Sequence, residues 1–390
     1  MVILSTAERK SGSAVSATWA EISLANLRHN FRLVQSHVGA AVTVCAVLKA
    51  DAYGHGAVNC AHALEREGAR WFAVNSLAEA IPLQEANVAG KILLLTGFWR
   101  GEEDEIVRRG LRPIVWNIDH LGLLEHAAKS IGVKHPIHLK IDTGMGRLGV
   151  APACLPKILF ALKASPHLQL EGVATHFASA EVMDATSVEE QLRRFDGALN
   201  LLETEGFNPP LVHAANSSAM LSRPETWHSM VRSGLALYGH HLPFIRAGKE
   251  ASEAAFPSLK PVMAWKTKIL AIRDLPAGQA LGYGGTYTTN SPARIAVLPV
   301  GYADGLNRQL SSRGRVIVGG KFAPIVGRIS MDLTTVDVTG IPAAMEDEVV
   351  LLGSSGGLRV DPQEHAVIAN TISYEILCNI SKLVPRVASE

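Results

Sequence analysis

A lysine at the end of a predicted strand is the residue whose position most clearly suggests chemistry. Lys49 follows the apolar run VTVCAVL (42–48) and begins the string KADAYGHG. Burial at the end of a strand disfavours the charged form of a lysine, and the neutral amine can form a Schiff base with an aldehyde. A lysine that leaves the edge of a sheet into solvent fits the same pattern. Lys49 by itself therefore leaves both interpretations open.

Three other segments carry side chains suited to anion binding or proton transfer. HAANSSA (213–219) places Asn and Ser after a predicted strand, where they can cap a helix or bind an anion. RSGLALYG (232–239) begins with an arginine, which stays a hydrogen-bond donor because its pKa lies above about 12. GYGGTY (282–287) holds Tyr283 in a glycine-rich loop. An ordinary N-cap, a surface ion pair and a turn aromatic remain alternatives for these segments taken singly.

Eight apolar runs predict the elements that position these residues. They cover residues 42–48, 71–75, 91–97, 112–117, 136–141, 168–175, 211–216 and 231–239. Runs of this length fit strands buried on both faces, and stretches with helical spacing separate them. Eight strands alternating with helices over about 250 residues predict an α/β fold, a (β/α)8 TIM-type barrel, with an open doubly wound sheet as the alternative. In a barrel, Lys49 would lie at the catalytic face.

The pattern changes from about Leu259 onward. The runs there are MAWKTKILAIRD, ARIAVLPVGY, GRVIVGG and LTTVDVT, which alternate or are β-branched and are separated by turns rich in Gly and Pro. They predict a mostly antiparallel β domain. With the linker placed in residues 243–258, we expect a barrel domain over 1–255 and a β domain over 256–390.

Composition excludes several classes of protein. The 37 basic and 36 acidic side chains nearly balance, which does not favour nucleic-acid binding. Four scattered cysteines predict neither a disulfide framework nor a zinc site, and no metal site is expected. The first residues contain only a short apolar run, and no run approaches the roughly 18 apolar residues of a membrane helix. A cytoplasmic protein without membrane contact is therefore predicted.

The motifs resemble those of alanine racemases, which use pyridoxal 5'-phosphate (PLP). VLKADAYGHG resembles the family's cofactor-attachment segment. The strings that follow it in order are KIDTGMGRLG (140–149), HAANSSA, RSGLALYG, GYGGTY, GYADGLNR (301–308), GRISMDL (327–333) and TISYEILCNIS (371–381). The resemblance covers nearly the whole chain from about Thr18. It implies a barrel followed by a β domain, and a homodimer whose active sites use both subunits. It also implies interconversion of L- and D-alanine, which supplies D-alanine for bacterial peptidoglycan.

The resemblance assigns roles to individual residues. Lys49 resembles the lysine that binds the cofactor and acts as the base on one face of the substrate α-carbon. Tyr283 resembles the base on the opposite face, which the partner subunit supplies. Arg232 resembles the partner of the pyridine nitrogen. The residues that resemble the phosphate-binding group are Tyr53, Ser217, Gly234, Leu235 and Tyr374.

The remaining assignments concern orientation and substrate binding. His176 and Asn216 resemble residues that orient the cofactor site, and Arg147 matches an arginine that lies beside the cofactor's phenolate and the substrate carboxylate. Lys140 matches a lysine that is carbamylated in many members of the family, where it orients the arginine at Arg147. The residues that match substrate-binding positions are Arg147, Met331, Tyr302 and Asp332, of which Met331 is expected from the other subunit.

The chemistry of racemisation agrees with these assignments. A proton must leave one face of the α-carbon and return on the other, which two bases achieve with little motion. Lysine and tyrosine ordinarily have pKa values near 10, so burial or a neighbouring cation must shift them toward the operating pH. An arginine at the pyridine nitrogen leaves that nitrogen unprotonated, which weakens the cofactor as an electron sink and disfavours transamination.

Three other functions remain open at this stage. A PLP-dependent amino-acid decarboxylase can share the barrel and β domain, but GYGGTY and GRISMDL resemble the racemase. A broad-specificity racemase usually carries an export signal, and none is predicted here. A non-catalytic PLP-binding module consists of a single barrel, whereas about 130 residues follow the barrel of this chain. The strictness of a preference for alanine is not determined by these motifs.

Overall fold

The chain is described by a computed structural model that covers residues 16–184, 186–250 and 258–390. The expected domain boundary at 255/256 and the start of the chain, used above to argue against an export signal, lie outside the described residues. The chain divides into two compact units. Of the described residues, the barrel unit comprises those within Ile22–Met263, Ile372–Cys378 and Ala388–Glu390, and the β unit comprises those within Met1–Glu21, Ala264–Thr371 and Asn379–Val387.

The described strands are, in chain order, β1 (Thr18–Ser23), β2 (Thr43–Val47), β3 (Trp71–Val74), β4 (Lys91–Leu94), β5 (Arg112–Val115), β6 (His135–Lys140), β7 (Leu168–Ala174), β8 (Leu211–His213), β9 (Met230–Ser233), β10 (Ile245–Arg246), β11 (Lys249–Glu250), β12 (Met263–Lys268), β13 (Ala271–Leu275), β14 (Ala280–Leu281), β15 (Tyr287–Thr288), β16 (Ala293–Leu298), β17 (Arg315–Val318), β18 (Lys321–Pro324), β19 (Thr334–Asp337), β20 (Glu348–Ser355), β21 (Leu358–Val360) and β22 (Arg386–Ser389). The helices are α1 (Leu24–Val38), α2 (Lys49–Gly54), α3 (Ala57–Arg66), α4 (Leu77–Glu85), α5 (Glu103–Arg108), α6 (Ile118–Ile131), α7 (Leu155–Lys163), α8 (Thr186–Thr204), α9 (Ser217–Ser222), α10 (Pro362–Ala369) and α11 (Ser373–Cys378).

The barrel is formed by eight parallel strands in the order β8-β7-β6-β5-β4-β3-β2-β9. Hydrogen bonds from Ser229 N to Val212 O (3.2 Å) and from Arg232 N to Ala215 O (3.0 Å) join the β9 segment to the β8 segment. The strands β3 and β9 are buried along their whole length, as expected for strands covered on both faces. Each of the eight predicted runs overlaps one barrel strand, so the predicted fold class is confirmed.

Helix caps explain where several outer helices begin. Ser76 and Asn117 accept hydrogen bonds from the backbone N–H groups of Glu79 and His120, which fixes the starts of α4 and α6. Gly132 ends α6 in the left-handed conformation. Ser and Asn are favoured at helix N-caps and Gly at helix C-caps, so the local sequence accounts for these helix ends.

The β unit contains mostly antiparallel sheets, as predicted. The strands β18-β17-β20-β12-β1-β22 form one sheet, to which β21 adds beside β20, and β13-β16-β19 form another. The strand β12 alternates buried and half-buried residues, which is the pattern of a sheet with one covered face. The hairpin of β14 and β15 encloses Tyr283.

Two predicted runs differ from the observed strands. The run 231–239 is a strand only to Ser233, because Gly234 takes φ −113° and ψ −99° and a 3-10 turn follows over Leu235–Tyr238. The run MAWKTKILAIRD contains two strands, β12 and β13, which pair with different neighbours. In the part of the chain described, no helix has both the length and the apolar character needed to cross a membrane.

Candidate active site

Lys49 lies just beyond the carboxyl end of β2 and is the first residue of α2. Burial lowers the pKa of its amine, and the charge of Arg147 lowers it further. A lysine in this position is more readily neutral, and therefore more nucleophilic, than an exposed lysine. The amine lies at the carboxyl end of a barrel strand, where enzymes of this architecture carry out their chemistry.

The turn that follows Lys49 is left-handed. Ala50, Asp51, Ala52 and Tyr53 all have φ between 53° and 56° and ψ between 40° and 50°. A left-handed conformation costs roughly 1–2 kcal/mol for each such residue, so the surrounding contacts must hold it. Backbone strain of this kind is concentrated at functional sites.

Two carboxylates hold the left-handed turn. Glu79 Oε1 accepts the Ala50 N–H at 2.8 Å, and its Oε2 accepts the Asn75 N–H at 2.7 Å. Asp51 Oδ1 accepts the Ala57 N–H at 2.7 Å. Glu79 thus links the turn after Lys49 to the end of β3, which restricts where the lysine backbone can lie.

A cavity of about 570 Å³ lies beside Lys49 within the barrel unit. The residues singled out from the sequence that line it are Lys49, Tyr53, Lys140, Arg147, His176, Asn216, Ser217, Arg232, Gly234 and Tyr374. Leu235 is fully buried behind Gly234 and does not line the cavity. The structure therefore gathers these residues from five barrel-strand segments and from α11 around one pocket.

Arg232 is held almost entirely by neutral acceptors. Its Nη1 donates to His213 Nδ1 (2.9 Å) and to the His213 carbonyl (2.8 Å). Its Nη2 lies within hydrogen-bond distance of the carbonyls of Thr175 (2.8 Å) and Ala214 (3.0 Å), and 3.2 Å from His176 Nδ1. No carboxylate among the described residues forms an ion pair with it. Burial lowers the pKa of Arg232 to about 10, so the side chain remains a cation at neutral pH.

Positive charge accumulates on one side of the pocket. Burial, and then the charges of Arg232 and Arg147, lower the pKa of Lys140 to about 8. Burial also lowers the pKa of His176 well below its ordinary value, with the charge of Arg232 acting in the same direction. His176 is therefore neutral, and the pocket offers cationic and donor groups to an anionic ligand.

Backbone amides and hydroxyls form the opposite corner of the pocket. Ser217 Oγ accepts the N–H groups of Gly234 (2.9 Å) and Ala236 (3.4 Å). The ring of Tyr53 packs 5.8 Å from that of Tyr374, and burial raises the pKa of Tyr374 to about 12. Asn216 caps α9 through the Ala219 N–H. The phenols stay protonated, so both can donate hydrogen bonds to an anion.

The other four predicted site residues belong to the β unit. Tyr283 is 70% exposed, Met331 is 53% exposed and Tyr302 is 44% exposed, and Asp332 is also exposed. The Tyr302 N–H donates to Ser330 O at 3.1 Å, which joins the Tyr302 turn to the segment that carries Met331. These four residues are thus not among those that line the barrel cavity.

Comparison with known proteins identifies the family. The sequence profile of the alanine racemase N-terminal domain matches residues 22–242, and that of the C-terminal domain matches residues 262–388. The alanine racemase of Syntrophobacter fumaroxidans is 44% identical over 366 residues, covering 94% of this chain and 96% of that protein. The chain belongs to the alanine racemase family.

Solved structures of alanine racemases share the fold. The crystal structure of the enzyme from the D-cycloserine producer Streptomyces lavendulae has a TM-score of 0.90 and 35% identity, covering 97% of this chain and 98% of that one. The Bartonella henselae alanine racemase, solved with covalently bound pyridoxal phosphate, has a TM-score of 0.84 and 30% identity, covering 95% and 99%. The resemblance read from the motifs is therefore confirmed.

Sequence reasoning missed several residues that shape this alanine racemase site. Glu79 lies in an ordinary helix start, SLAEA, and nothing there indicates that its carboxylate holds the turn after Lys49. His213 opens the HAANSSA motif, but no role was inferred for it although it contacts Arg232. The HAANSSA motif could have indicated a role for His213, whereas no motif indicated one for Glu79.

Proposed function

We infer that this chain catalyses the interconversion of L- and D-alanine. The observation that carries the proposal is a single cavity lined both by the half-buried Lys49 and by Arg232, whose hydrogen bonds go to carbonyls and imidazoles, in a chain of the alanine racemase family. An amine of lowered pKa can bind an aldehyde cofactor, and Arg232 supplies a cation that remains a donor.

The pocket fits PLP as the cofactor. Lys49 would hold it covalently, and Arg232 Nε would face its ring nitrogen, since both Nη atoms are occupied by protein acceptors. An ideal Cβ on Gly234 would lie 2.4 Å from the Tyr53 hydroxyl, so the absence of a side chain there keeps the corner open. The phosphate would lie in that corner, and the residues that would hold it are Tyr53, Ser217, Gly234, Leu235 and Tyr374. When bound, PLP supplies the electron sink that makes the substrate α-proton acidic.

Two bases on opposite faces carry out the proton transfers. Lys49 removes the α-proton of D-alanine, and its lowered pKa favours the neutral amine that this step requires. Tyr283 removes the α-proton of L-alanine from the opposite face. The two faces of the α-carbon thus have separate bases, so the substrate need not turn over between removal and return of the proton.

With PLP bound, Arg232 would limit how far negative charge moves into the cofactor ring. Its five hydrogen bonds go to carbonyls and imidazoles, which fix it as a donor. His176 and Asn216 orient this side of the site, His176 through its contact with Arg232 and Asn216 through α9. Racemisation is thereby favoured over transamination.

Lys140 is proposed to carry a carbamate. Its pKa of about 8 leaves a substantial neutral fraction at physiological pH, and only the neutral amine adds to CO2. The product, a carbamate with release of one proton, replaces a cation by an anion beside two arginines. The repulsion that Arg147 and Arg232 exert on Lys140 would then become attraction, which orients Arg147.

A homodimer completes each site. Arg147, exposed at the edge of the barrel pocket, would bind the substrate carboxylate. The β unit of the partner subunit would supply Tyr283, together with Tyr302, Met331 and Asp332 for substrate binding. The exposure of these side chains, two of them large aromatics, supports a surface that is covered in the functional assembly.

The reaction would take place in the cytoplasm and provide D-alanine for peptidoglycan. All four cysteines are free, and two of them are exposed, which fits a compartment where thiols stay reduced. The cytoplasmic location is thus proposed from the role of the family and from the free thiols.

The direct test is a chiral assay with added PLP. L-alanine should be converted until both enantiomers are present in equal amounts, because the free enantiomers have the same energy, and D-alanine should reach the same mixture. Release of CO2 with formation of an amine would instead identify a decarboxylase. Binding of PLP without any turnover would indicate a binding module, and equal rates with lysine or arginine would indicate a broad-specificity racemase.

A further inference from the structure

A row of buried polar side chains leads from Arg232 away from the pocket. Arg232 Nη1 contacts His213 Nδ1 at 2.9 Å, and His213 Nε2 contacts His138 Nδ1 at 2.8 Å. His138 Nε2 then lies 3.6 Å from Glu171 Oε2, slightly beyond hydrogen-bond length, with no nearer partner among the described residues. The row therefore ends on a carboxylate.

The far end of the row lies at the opposite end of the barrel from the pocket. Glu171 is also paired with Lys91 Nζ at 2.8 Å and with Arg112 Nε at 3.3 Å. These two cations are the first residues of β4 and β5, whereas the pocket lies at the carboxyl ends of the strands. Burial opposes ionisation of Glu171, but the contacts with His138, Lys91 and Arg112 outweigh it and lower the carboxyl pKa to about 2.

With Arg232 at one end of the row and the Glu171 carboxylate at the other, only one arrangement of protons satisfies every contact. Arginine has only donors, so His213 Nδ1 must accept from it. Burial lowers the pKa of both imidazoles, so each ring is neutral and carries one proton. His213 must then carry its proton on Nε2 and donate to His138 Nδ1, which leaves the proton of His138 on Nε2, directed at Glu171.

The strand β7 is built to place these groups together. Its pairing with β6 matches Ile137 with Leu170 and His138 with Gly172, so Glu171 is the extra residue of a β-bulge. Bulges redirect a side chain out of the regular alternation. An ideal Cβ on Gly172 would lie 2.3 Å from His138 Nδ1, so only glycine leaves room for the imidazole.

We propose that Glu171, acting through His138 and His213, is a positioning residue for Arg232. The carboxylate holds both imidazoles in the form protonated on Nε2, and so keeps His213 Nδ1 available as an acceptor for the arginine. The consequence for catalysis rests on the proposed function, in which Arg232 faces the cofactor's ring nitrogen.

Without the Glu171 carboxylate, no acceptor at this end of the row would favour a proton on His138 Nε2. The proton of His138 could move to Nδ1, where it would oppose the Nε2 proton of His213. His213 would then move its own proton to Nδ1, opposite the Arg232 Nη1 donor, and two donors would face each other. Arg232 would lose one of its five acceptors and the orientation that this acceptor imposes.

The first test needs neither cofactor nor activity. Long-range 15N NMR of protein labelled in histidine, prepared without PLP, reports which ring nitrogen carries the proton, and His138→Asn and His213→Asn assign the signals. We expect both rings protonated on Nε2 in the natural protein. A proton on His213 Nδ1 in that sample would overturn the proposal, whatever the variants do.

The variants separate positioning from a merely structural role. Glu171→Leu should populate the other tautomer and lower kcat roughly tenfold with little change in KM, as expected for one weakened hydrogen bond to a charged group. Glu171→Gln keeps an oxygen that can accept from His138, so it should retain the tautomers and most of kcat. Glu125→Leu is the matched control, because it makes the same change at a carboxylate bonded to His167 at 2.7 Å elsewhere in the barrel unit.

The outcomes are distinguishable from failure of the proposed function. Unchanged tautomers in Glu171→Leu, or equal losses of kcat in Glu125→Leu and Glu171→Leu, would overturn the positioning role. If Glu171→Leu does not fold, Gly172→Ala provides a second variant, which should displace His138 and give the same tautomer mixture. A natural protein with the expected tautomers but no racemisation would refute the proposed function and leave the arrangement of the row standing.

Discussion

The hydroxyl of Tyr53 occupies the space where a side chain at position 234 would begin, 2.4 Å from an ideal Cβ on Gly234. The Gly234 N–H donates to Ser217 Oγ in the same corner. The absence of a side chain at Gly234 is what allows this close approach. The corner can therefore keep its donors around an anion only if position 234 has no side chain.

Gly234→Ala should weaken cofactor binding. The added methyl must push Tyr53 aside, and overpacking of this kind costs roughly 1–3 kcal/mol, so the Kd for PLP should rise roughly tenfold or more. Titration of cofactor-free protein, followed by absorbance, measures the Kd. Gly197→Ala in α8 is the control, since its Cβ would meet nothing within 4 Å. Equal affinity for PLP in Gly234→Ala and the natural protein would contradict a phosphate site in this corner.

Ala50→Gly should stabilise the cofactor-free protein. Ala50 is exposed and left-handed with φ 53°, so glycine relieves steric strain at a smaller entropic cost, a net gain of roughly 0.5–1 kcal/mol. Urea unfolding at one fixed protein concentration measures the change. Ala161→Gly in the right-handed helix α7 should have the opposite sign, a loss of roughly 1 kcal/mol. A loss of stability in Ala50→Gly would show that the left-handed turn is not strained in the cofactor-free protein.

Lys140 should form a carbamate at lower pH than other lysines. Its pKa is lowered from 10.5 to about 8, so about half of it is neutral at pH 8, and the neutral fraction falls as the pH drops below that value. At a fixed concentration of 13C-labelled CO2, a carbamate 13C signal should grow between pH 7 and 8. The signal should vanish in Lys140→Met and persist in the exposed variant Lys157→Met. A signal that survives in Lys140→Met would assign the carbamate to another lysine.

Mixing two inactive variants should restore activity if the sites are shared. Lys49→Ala loses the lysine base and Tyr283→Phe loses the phenol, so each homodimer should be inactive. In a mixed dimer one site receives Lys49 from one subunit and Tyr283 from the other, which predicts about one quarter of natural activity after random exchange. Subunit exchange proven by differently tagged chains, with no recovery of activity, would rule out sites composed of both subunits.

Much of the fold was predictable because its signals are local. Each barrel strand overlaps an apolar run between turns. The helices α4 and α6 begin after Ser76 and Asn117, which are residue types favoured at helix N-caps. The pocket residues could be placed near one another because they follow strands of one barrel. The end of β9 was misjudged because RSGLALYG stays apolar past Gly234, where the backbone leaves the sheet.

The parts that escaped prediction depend on contacts between distant segments. The left-handed turn in KADAY could not be predicted, because one of the groups that hold it, the carboxylate of Glu79, lies in another segment of the chain. The string LQLEGVA suggests that Glu171 is a surface residue. In the structure, the β-bulge places its carboxylate beside His138. Pairing register and long-range hydrogen bonds of this kind have no signature in a single sequence.

Solvent deuterium exchange in Tyr283→Ala tests most directly whether Lys49 and Tyr283 act on opposite faces of the α-carbon. Mass spectrometry follows deuterium incorporation at the α-carbon of each enantiomer separately, with PLP bound. D-alanine should still exchange, because Lys49 is intact, while exchange of L-alanine should fall by roughly 10²–10⁴-fold, the usual contribution of a general base. Exchange of L-alanine at the natural rate in Tyr283→Ala would contradict the two-base account and leave Lys49 as the base for both faces.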